Sequence, residues 1–418
     1  MEPIRLTLAI ILTFSSWSFS QEWTRFRGPN GTGIGKIKGL PGEISAMDYH
    51  WAVKTDGEGH SSPVLWGNKI FITQVNDGTE KGSERKVLCF EATNGNLLWE
   101  WTDPLESHNL HKFNNFASST PTVDQDRVYL VWGSGTHTQA VALSHSGGLV
   151  WRKEWPGFTS DHGQGSSPIL VDGVLVFHTD SKDDYKSYVI GLNPESGEVV
   201  WEVERITPAS DKKHFTAYNT PVTVKSGAIN TVVALQSNDG WKGINPVDGS
   251  IVWQAPGGYS FRSVGSVASA NGYLFASFGS GGAGKQGTTL KVGDGDAEVL
   301  YSLGIKDGLG YVPSPLIYNG LLFLWADGGV LTCRDLATGE QKFRERIGGN
   351  FFSSPVIGDG KIICGSLDGE LITVAASDKF QILGRSRLES GMHATPAIAN
   401  ECLYFRTGTH IICVCGKK

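Results

Sequence analysis

Polar and apolar positions alternate along this chain in short bursts, and the bursts come in pairs. A small or hydroxyl residue, usually followed by Pro, leads into two or three apolar residues, a tight turn and a second apolar run. Examples are SSPVLWGNKIFIT from Ser61, SSPILVDGVLVFH from Ser166 and SSPVIGDGKIICG from Ser353. Apolar runs this short, bounded by turn residues, predict β-strands joined as hairpins. Asp-Gly or Asn-Gly pairs beginning at Asp172, Asn271, Asn319 and Asp359 lie between the two runs and supply the positive φ angles of two-residue hairpin turns. A third run follows, then a turn containing Gly, then a fourth run that brings a large side chain to a fixed phase. That side chain is Trp99, Trp151, Trp201 or Trp253, and Tyr301, Phe343 or Leu383 in later copies.

The unit recurs eight times, with anchors at Pro63, Pro121, Pro168, Pro221, Val267, Pro315, Pro355 and Pro396, spaced by 58, 47, 53, 46, 48, 40 and 41 residues. A four-stranded unit cannot bury its faces alone, so the copies must stack around an axis. The expected fold is all-β: a single eight-bladed β-propeller of four-stranded antiparallel blades, numbered here 1 to 8 by their anchors. Only three runs follow Pro396 before the chain ends at Lys418, and YHWAV from Tyr49 to Val53 offers the missing one. The N-terminal strand is therefore expected to complete blade 8 and close the ring, which removes an exposed sheet edge. Trp51, Trp99, Trp151, Trp201, Trp253, Tyr301 and Phe343 then become structural rings docked between neighbouring blades.

Composition agrees with short, ring-anchored strands. Gly supplies 54 of 418 residues, and there are thirteen Trp against three Met. A net charge of −6 disfavours a nucleic-acid partner. Residues 1–20 read as a cleavable export signal, with Arg5 ahead of the apolar run Leu6 to Phe14, and no stretch is long enough to cross a bilayer. Residues 21–48 read as an N-terminal strap, and 49–418 as the propeller. The expected product is an exported monomer, periplasmic or extracellular, with no lipid anchor, because the first cysteine is Cys89. The six cysteines lie in apolar runs and read as buried free thiols. Cys413 and Cys415, two apart in one strand, should not bond to each other. No Cys/His set has zinc spacing.

Loops that lead into the anchors gather at one mouth of a propeller. The residue immediately before each anchor is Ser or Thr in all eight copies, which reads as packing and backbone satisfaction near the axis. Three residues before the anchor the copies diverge: His60, Ser118, Gly165, Tyr218, Val264, Val312, Phe352 and His393. Candidate ligand-binding residues at the mouth are His60, His111, Asn115, His162, Gln164, Tyr218, Asn219, Arg262, Tyr311, Asn350, Phe351 and His393, with His214 nearby. Closure of the ring would put His60 and His393 side by side. No GxSxG-type nucleophile signature is present, and His108 and His111, spaced HxxH, fall in a loop.

The boxes CRDLATGEQKF from Cys333 to Phe343 and GLNPESGEVVW from Gly191 to Trp201 resemble the docking motif of PQQ-like propeller repeats. WTRFRGPNGTG from Trp23 to Gly33, with GEGHSSPV from Gly57 to Val64, is similar to the opening of secreted bacterial proteins in that family. The resemblance implies a fold shared by quinoprotein dehydrogenases and by a non-catalytic, BamB-like branch that binds partner proteins. The dehydrogenases hold PQQ over calcium, use an Asp base and cover the cofactor with a ring of two adjacent cysteines. This chain has no Cys-Cys pair, and Asp56, Glu58 and Asp161 come with no recognisable partner set. The expectation is a binding or scaffold propeller that engages proteins or cell-envelope material, with no catalysis and no PQQ, calcium or other metal. The alternative is a PQQ-dependent or other small-molecule-binding enzyme that uses the mouth.

Overall fold

Hairpin pairing along the chain yields eight four-stranded antiparallel sheets in the computed structural model, which describes residues 22–79, 82–157, 162–180, 186–205 and 216–417. The export signal expected over 1–20 lies outside the described residues. Blade 3 is typical, with strands Ile169–Val171, Val174–Thr179, Ser187–Leu192 and Val199–Arg205 in that order from the axis outward. Asp172, Asn271, Asn319 and Asp359 hold φ between 46° and 53° at the hairpin turns, as their sequence demands. Blade 8 makes the same turn with Asn400 and Glu401, at 52° and 57°, and no Gly.

Blade 8 is completed by the N-terminal strand. Ala397–Ala399, Cys402–Arg406 and His410–Cys415 are joined on the outside by Trp51–Lys54, in antiparallel register from Trp51 opposite Cys413 to Lys54 opposite His410. The first and last parts of the propeller thus share one sheet.

All the docking rings but Trp253 make a specific contact with the next blade. Trp51 Nε1 donates to Ala92 O of blade 1 at 2.9 Å, Trp99 to His145 O of blade 2 at 3.0 Å, Trp151 to Pro194 O of blade 3 at 2.9 Å and Trp201 to Pro246 O of blade 4 at 2.8 Å. The Tyr301 hydroxyl donates to Leu336 O of blade 6 at 3.0 Å, and Phe343 meets Phe380 of blade 7 with centroids 5.5 Å apart. The turn beneath each Trp must be flat. A Cβ on Gly197 would lie 2.7 Å from the Trp151 ring, and one on Gly249 2.9 Å from Trp201. Trp253 departs from the pattern and donates to Thr231 Oγ1 of its own blade at 3.0 Å. The facing turn of blade 5, around Gly293 to Asp296, is built on GDGD and is tied instead to Ser226.

The strap runs across the far end of the innermost strands. Trp23 pairs with Leu65 of blade 1, and Thr24 O accepts Val123 N of blade 2. Asn30 bonds Thr223 of blade 4 through both ends of its amide, and Ile34 pairs with Ile357 of blade 7. The blade residues in these contacts, Leu65, Val123, Thr223 and Ile357, stand two residues beyond their anchors, at the end of each inner strand away from the mouth. Arg25 donates to Pro221 O and Arg27 to Pro315 O at 2.8 Å. The strap closes that end of the channel.

One expectation about the cysteines is corrected. Cys402 and Cys415 are cross-strand neighbours in blade 8, with Cα atoms 3.9 Å apart, and form a disulfide. The pairing is set by hairpin register, which spacing within one strand does not reveal. Cys89, Cys333, Cys364 and Cys413 are buried free thiols.

Candidate functional site

The hydroxyl before each anchor has one structural task, and all eight perform it. The Ser62 N–H donates to Thr120 Oγ1 at 3.0 Å, Thr120 to Ser167 at 2.9 Å, Ser167 to Thr220 at 3.1 Å and Thr220 to Ser266 at 2.9 Å. Ser266 donates to Ser314 at 2.9 Å, Ser314 to Ser354 at 3.0 Å, Ser354 to Thr395 at 3.0 Å, and Thr395 back to Ser62 at 3.0 Å. Eight backbone donors that would otherwise be buried without acceptors are satisfied in one closed circuit. The circuit is also a wall of the channel.

Above it lies a cavity of about 540 Å³ with two tiers. The lower tier is the hydroxyl circuit, and the upper tier is the set three residues before the anchors, all eight of which line the cavity. Side chains one and three before the anchor face the channel while the one between is buried in its blade, an alternation in the chain leading into each inner strand that keeps the strand's period of two. Phe26 of the strap lines the same cavity, which is therefore blind.

Rings form a belt around the mouth. His60 and His393 stack with centroids 4.1 Å apart, and His393 meets Phe352 at 5.8 Å. Phe352 meets Phe113 at 5.4 Å, Phe113 meets His111 at 5.4 Å, His111 meets His162 at 5.7 Å, and His162 meets Tyr218 at 5.9 Å. Phe113 belongs to the loop between blades 1 and 2, yet touches blade 7, so this loop leans across the opening. Arg262 Nη1 lies 2.9 Å from His162 Nε2 and also bonds the Tyr311 hydroxyl. A guanidinium cannot accept, so His162 Nε2 must, which leaves the ring proton on Nδ1. Asn114 Nδ2 stands 3.1 Å from Nδ1, so accepting that proton requires the amide to be turned to present its oxygen.

Of the sequence candidates, His60, His111, His162, Tyr218, Arg262, Tyr311 and His393 converge on the cavity. Asn115, Gln164, Asn219, Asn350 and Phe351 do not line it. Asn219 stands two before its anchor and faces inward, bonding Leu235 O and Ser263 Oγ. Asn115 caps its own loop through Ala117 N at 2.9 Å. Phe351 is buried against Trp325, and Gln164 lines a smaller recess with His108. Asn350 N bonds Asp368. His108 and His111 thus face different spaces. Phe113 and Asn114 were not singled out from sequence, because nothing in a long polar loop announces which residue crosses the mouth. Asp161 and His214 lie outside the described residues, and Asp56 and Glu58 do not line the cavity.

The electrostatics favour a negative guest. Among the described residues the lining has no Asp or Glu and one Arg. Behind it are three buried guanidiniums, Arg25, Arg27 and Arg406, lowered by desolvation to about 9, 9 and 10 and so still cationic at neutral pH. The nearby Asp327 carboxyl accepts Tyr311 N at 2.6 Å and Val312 N at 3.1 Å, and burial pushes it up to about 6. Burial also holds His60 well below the ordinary range, aided by His393 and Arg406, and lowers His393.

A family model described as outer membrane protein assembly factor BamB matches residues 83–294, just over half of the chain. The chain belongs to the BamB family. Its fold is similar to that of BamB from Moraxella catarrhalis, with a TM-score of 0.61 and 15% identity over 89% of this chain and 96% of that one. It is also similar to a europium-containing methanol dehydrogenase, with a TM-score of 0.66 and 12% identity over 93% and 90% of the two chains. Quinohemoprotein alcohol dehydrogenase from Comamonas testosteroni gives 0.66 and 12% over 95% and 81%. At these identities the likeness shows the fold alone. No curated protein matches the sequence.

Proposed function

We propose that this BamB-family chain is an exported binding propeller whose blind channel takes up a ring-bearing acidic group, carried by a free small molecule or by a partner in the cell envelope. The observation that carries this reading is a cavity open at one end, belted by rings, with Arg262 in its wall and no carboxylate among its described lining residues. Its volume is that of a small-ligand site. Stacked and edge-on rings suit a planar guest, and the cations at and behind the wall suit a negative one. The family description, an assembly factor of the outer membrane, supports a partner in the envelope.

A calcium-supported quinone, the reading suggested by the dehydrogenase folds, fits this chain poorly. Calcium takes six to eight hard oxygen ligands, carboxylates prominent among them. The described lining offers hydroxyls, one amide and imidazoles. Catalysis is not part of the proposal.

Calorimetric titration with benzene-1,3,5-tricarboxylate, and with PQQ in the presence and absence of calcium, tests the reading. The expected result is binding of the aromatic acid that does not need calcium and weakens about tenfold or more in Arg262→Ala. Calcium-dependent uptake of the quinone chromophore would overturn it in favour of a quinoprotein. Competition by the aromatic acid against co-eluting envelope material would identify a partner-borne group, and its absence alongside tight binding a free one.

A further inference from the structure

Buried guanidinium groups in the outer parts of the blades come with an acid. Arg85 pairs with Asp103 at 3.1 Å, Arg205 with Asp180 at 2.7 Å and Arg334 with Asp307 at 2.6 Å. Nearer the axis this rule fails: Arg406 of blade 8 bonds Ser61 Oγ and Thr73 O and has no acid among the described residues, and at the channel floor two guanidiniums have even fewer partners. Arg25 and Arg27 are 6% and 0% exposed, and neither has a carboxylate partner among the described residues. Each gives one N–H to a carbonyl, and Nε of Arg25 with Nε and Nη1 of Arg27 remain buried without a protein partner.

The two groups share one neighbourhood. Their carbonyl acceptors, Pro221 O and Pro315 O, directly follow Thr220 and Ser314 of the hydroxyl circuit, so both guanidiniums sit just beneath it on blades 4 and 6. They are close enough that Arg27 depresses the proton affinity of Arg25. The strap makes room for them with glycine, since a Cβ on Gly33 would come within 2.9 Å of Arg27 Nη2. Cys364 lies near Arg27 but is not its counterion, because burial pushes this thiol far up. Two buried positive charges with unused donors and no acid are unstable in an apolar interior unless something negative joins them.

We propose that the channel floor holds a small inorganic monoanion of the halide class, bound by the unpartnered N–H groups of Arg27 and set in the field of Arg25. A monoanion fits better than phosphate or sulfate because the surroundings, including Leu316 and Val222, are apolar and a doubly charged ion would lose more hydration. The site is distinct from the mouth, since Phe26 lines the cavity while neither arginine does. It is independent of whatever the mouth binds.

The test is bromide. Crystals of the wild-type protein grown with bromide in place of chloride should show an anomalous peak within hydrogen-bond reach of Arg27, whether or not the mouth is filled. In solution the melting temperature should rise by about 3 °C between sodium gluconate and sodium chloride of equal ionic strength, if the salt exceeds the dissociation constant about a hundredfold. Arg27→Met should abolish that difference, and Arg262→Ala should keep it. Water density without an anomalous signal at Arg27, a peak only at Arg262, or equal melting temperatures in the two salts would overturn the proposal. The diffraction arm needs no variant, so a poorly folding Arg27→Met leaves the question decidable.

Discussion

His60 and His393, 333 residues apart in sequence, stack with ring centroids 4.1 Å apart and planes 3° from parallel. They meet because the N-terminal strand completes blade 8 and brings it beside blade 1. The contact reports ring closure and mouth geometry together. In His60→Cys/His393→Cys, a short thiol-reactive bis-electrophile crosslinker should join the two positions in native protein, since the four native free thiols are buried. A crosslink that forms only after unfolding would show that the seam is arranged differently.

Acid should loosen the same seam. His60 and His393 have lowered proton affinity, chiefly from desolvation, and burial with Arg205 lowers His178 to about 4. His178 is held between an Arg205 donor on Nδ1 and Asn219 O on Nε2, which requires the neutral ring. The folded state therefore binds fewer protons than the unfolded chain, whose histidines titrate near 6.5. Their contribution is complete above that value and is lost as pH falls toward 4. Asp327, raised to about 6, has the opposite sign and gains stability over part of the window. Melting temperature should fall from pH 7 to pH 5, and the slope should flatten in His60→Gln/His393→Gln. An unchanged slope in that variant would remove the stack from the account.

Inter-blade docking can be tested from both sides of one contact. Trp151→Ala should cost about 3–5 kcal/mol in urea unfolding, and Gly197→Val should destabilise at least comparably, because its side chain would enter the space of that ring and be held at a φ of +70°. The double variant should cost less than the sum, since removing the ring relieves the clash although the strain of the positive φ stays. Additive effects would mean that the two residues act separately.

The hydroxyl circuit makes a finer prediction. Ser314→Ala leaves the Ser266 N–H without its acceptor and should cost about 1–3 kcal/mol, whereas Ser314→Thr keeps the oxygen and should cost clearly less. Equal losses would assign the position to packing volume instead.

Much of this was legible in the sequence, for a definite reason. A repeat that fixes turn residues, anchors and closing rings at constant phase also fixes which positions face the axis, so blade number, closure by Trp51 and the upper tier of the mouth follow from spacing. The errors fall where phase was not applied strictly or does not operate. Asn219 lies two before its anchor, at the phase that turns into the blade. Gln164 and Phe351 lie four before. Phe113 is placed by a loop without periodicity, and the Cys402–Cys415 bond by register between strands. The burial of Arg25 and Arg27 beneath the blades leaves no local mark in the sequence.

Co-purification by the native protein tests the central claim, that the channel mouth is the binding site. Wild type and Arg262→Ala/Tyr218→Ala would be captured from the envelope fraction at equal yield, and the co-eluting small molecules and proteins compared by mass spectrometry, with melting temperature as the control for folding. The account predicts a specific guest that is present with wild type, depleted about tenfold or more from the variant, and displaced by benzene-1,3,5-tricarboxylate. The same guest retained in full by a folded variant would contradict it.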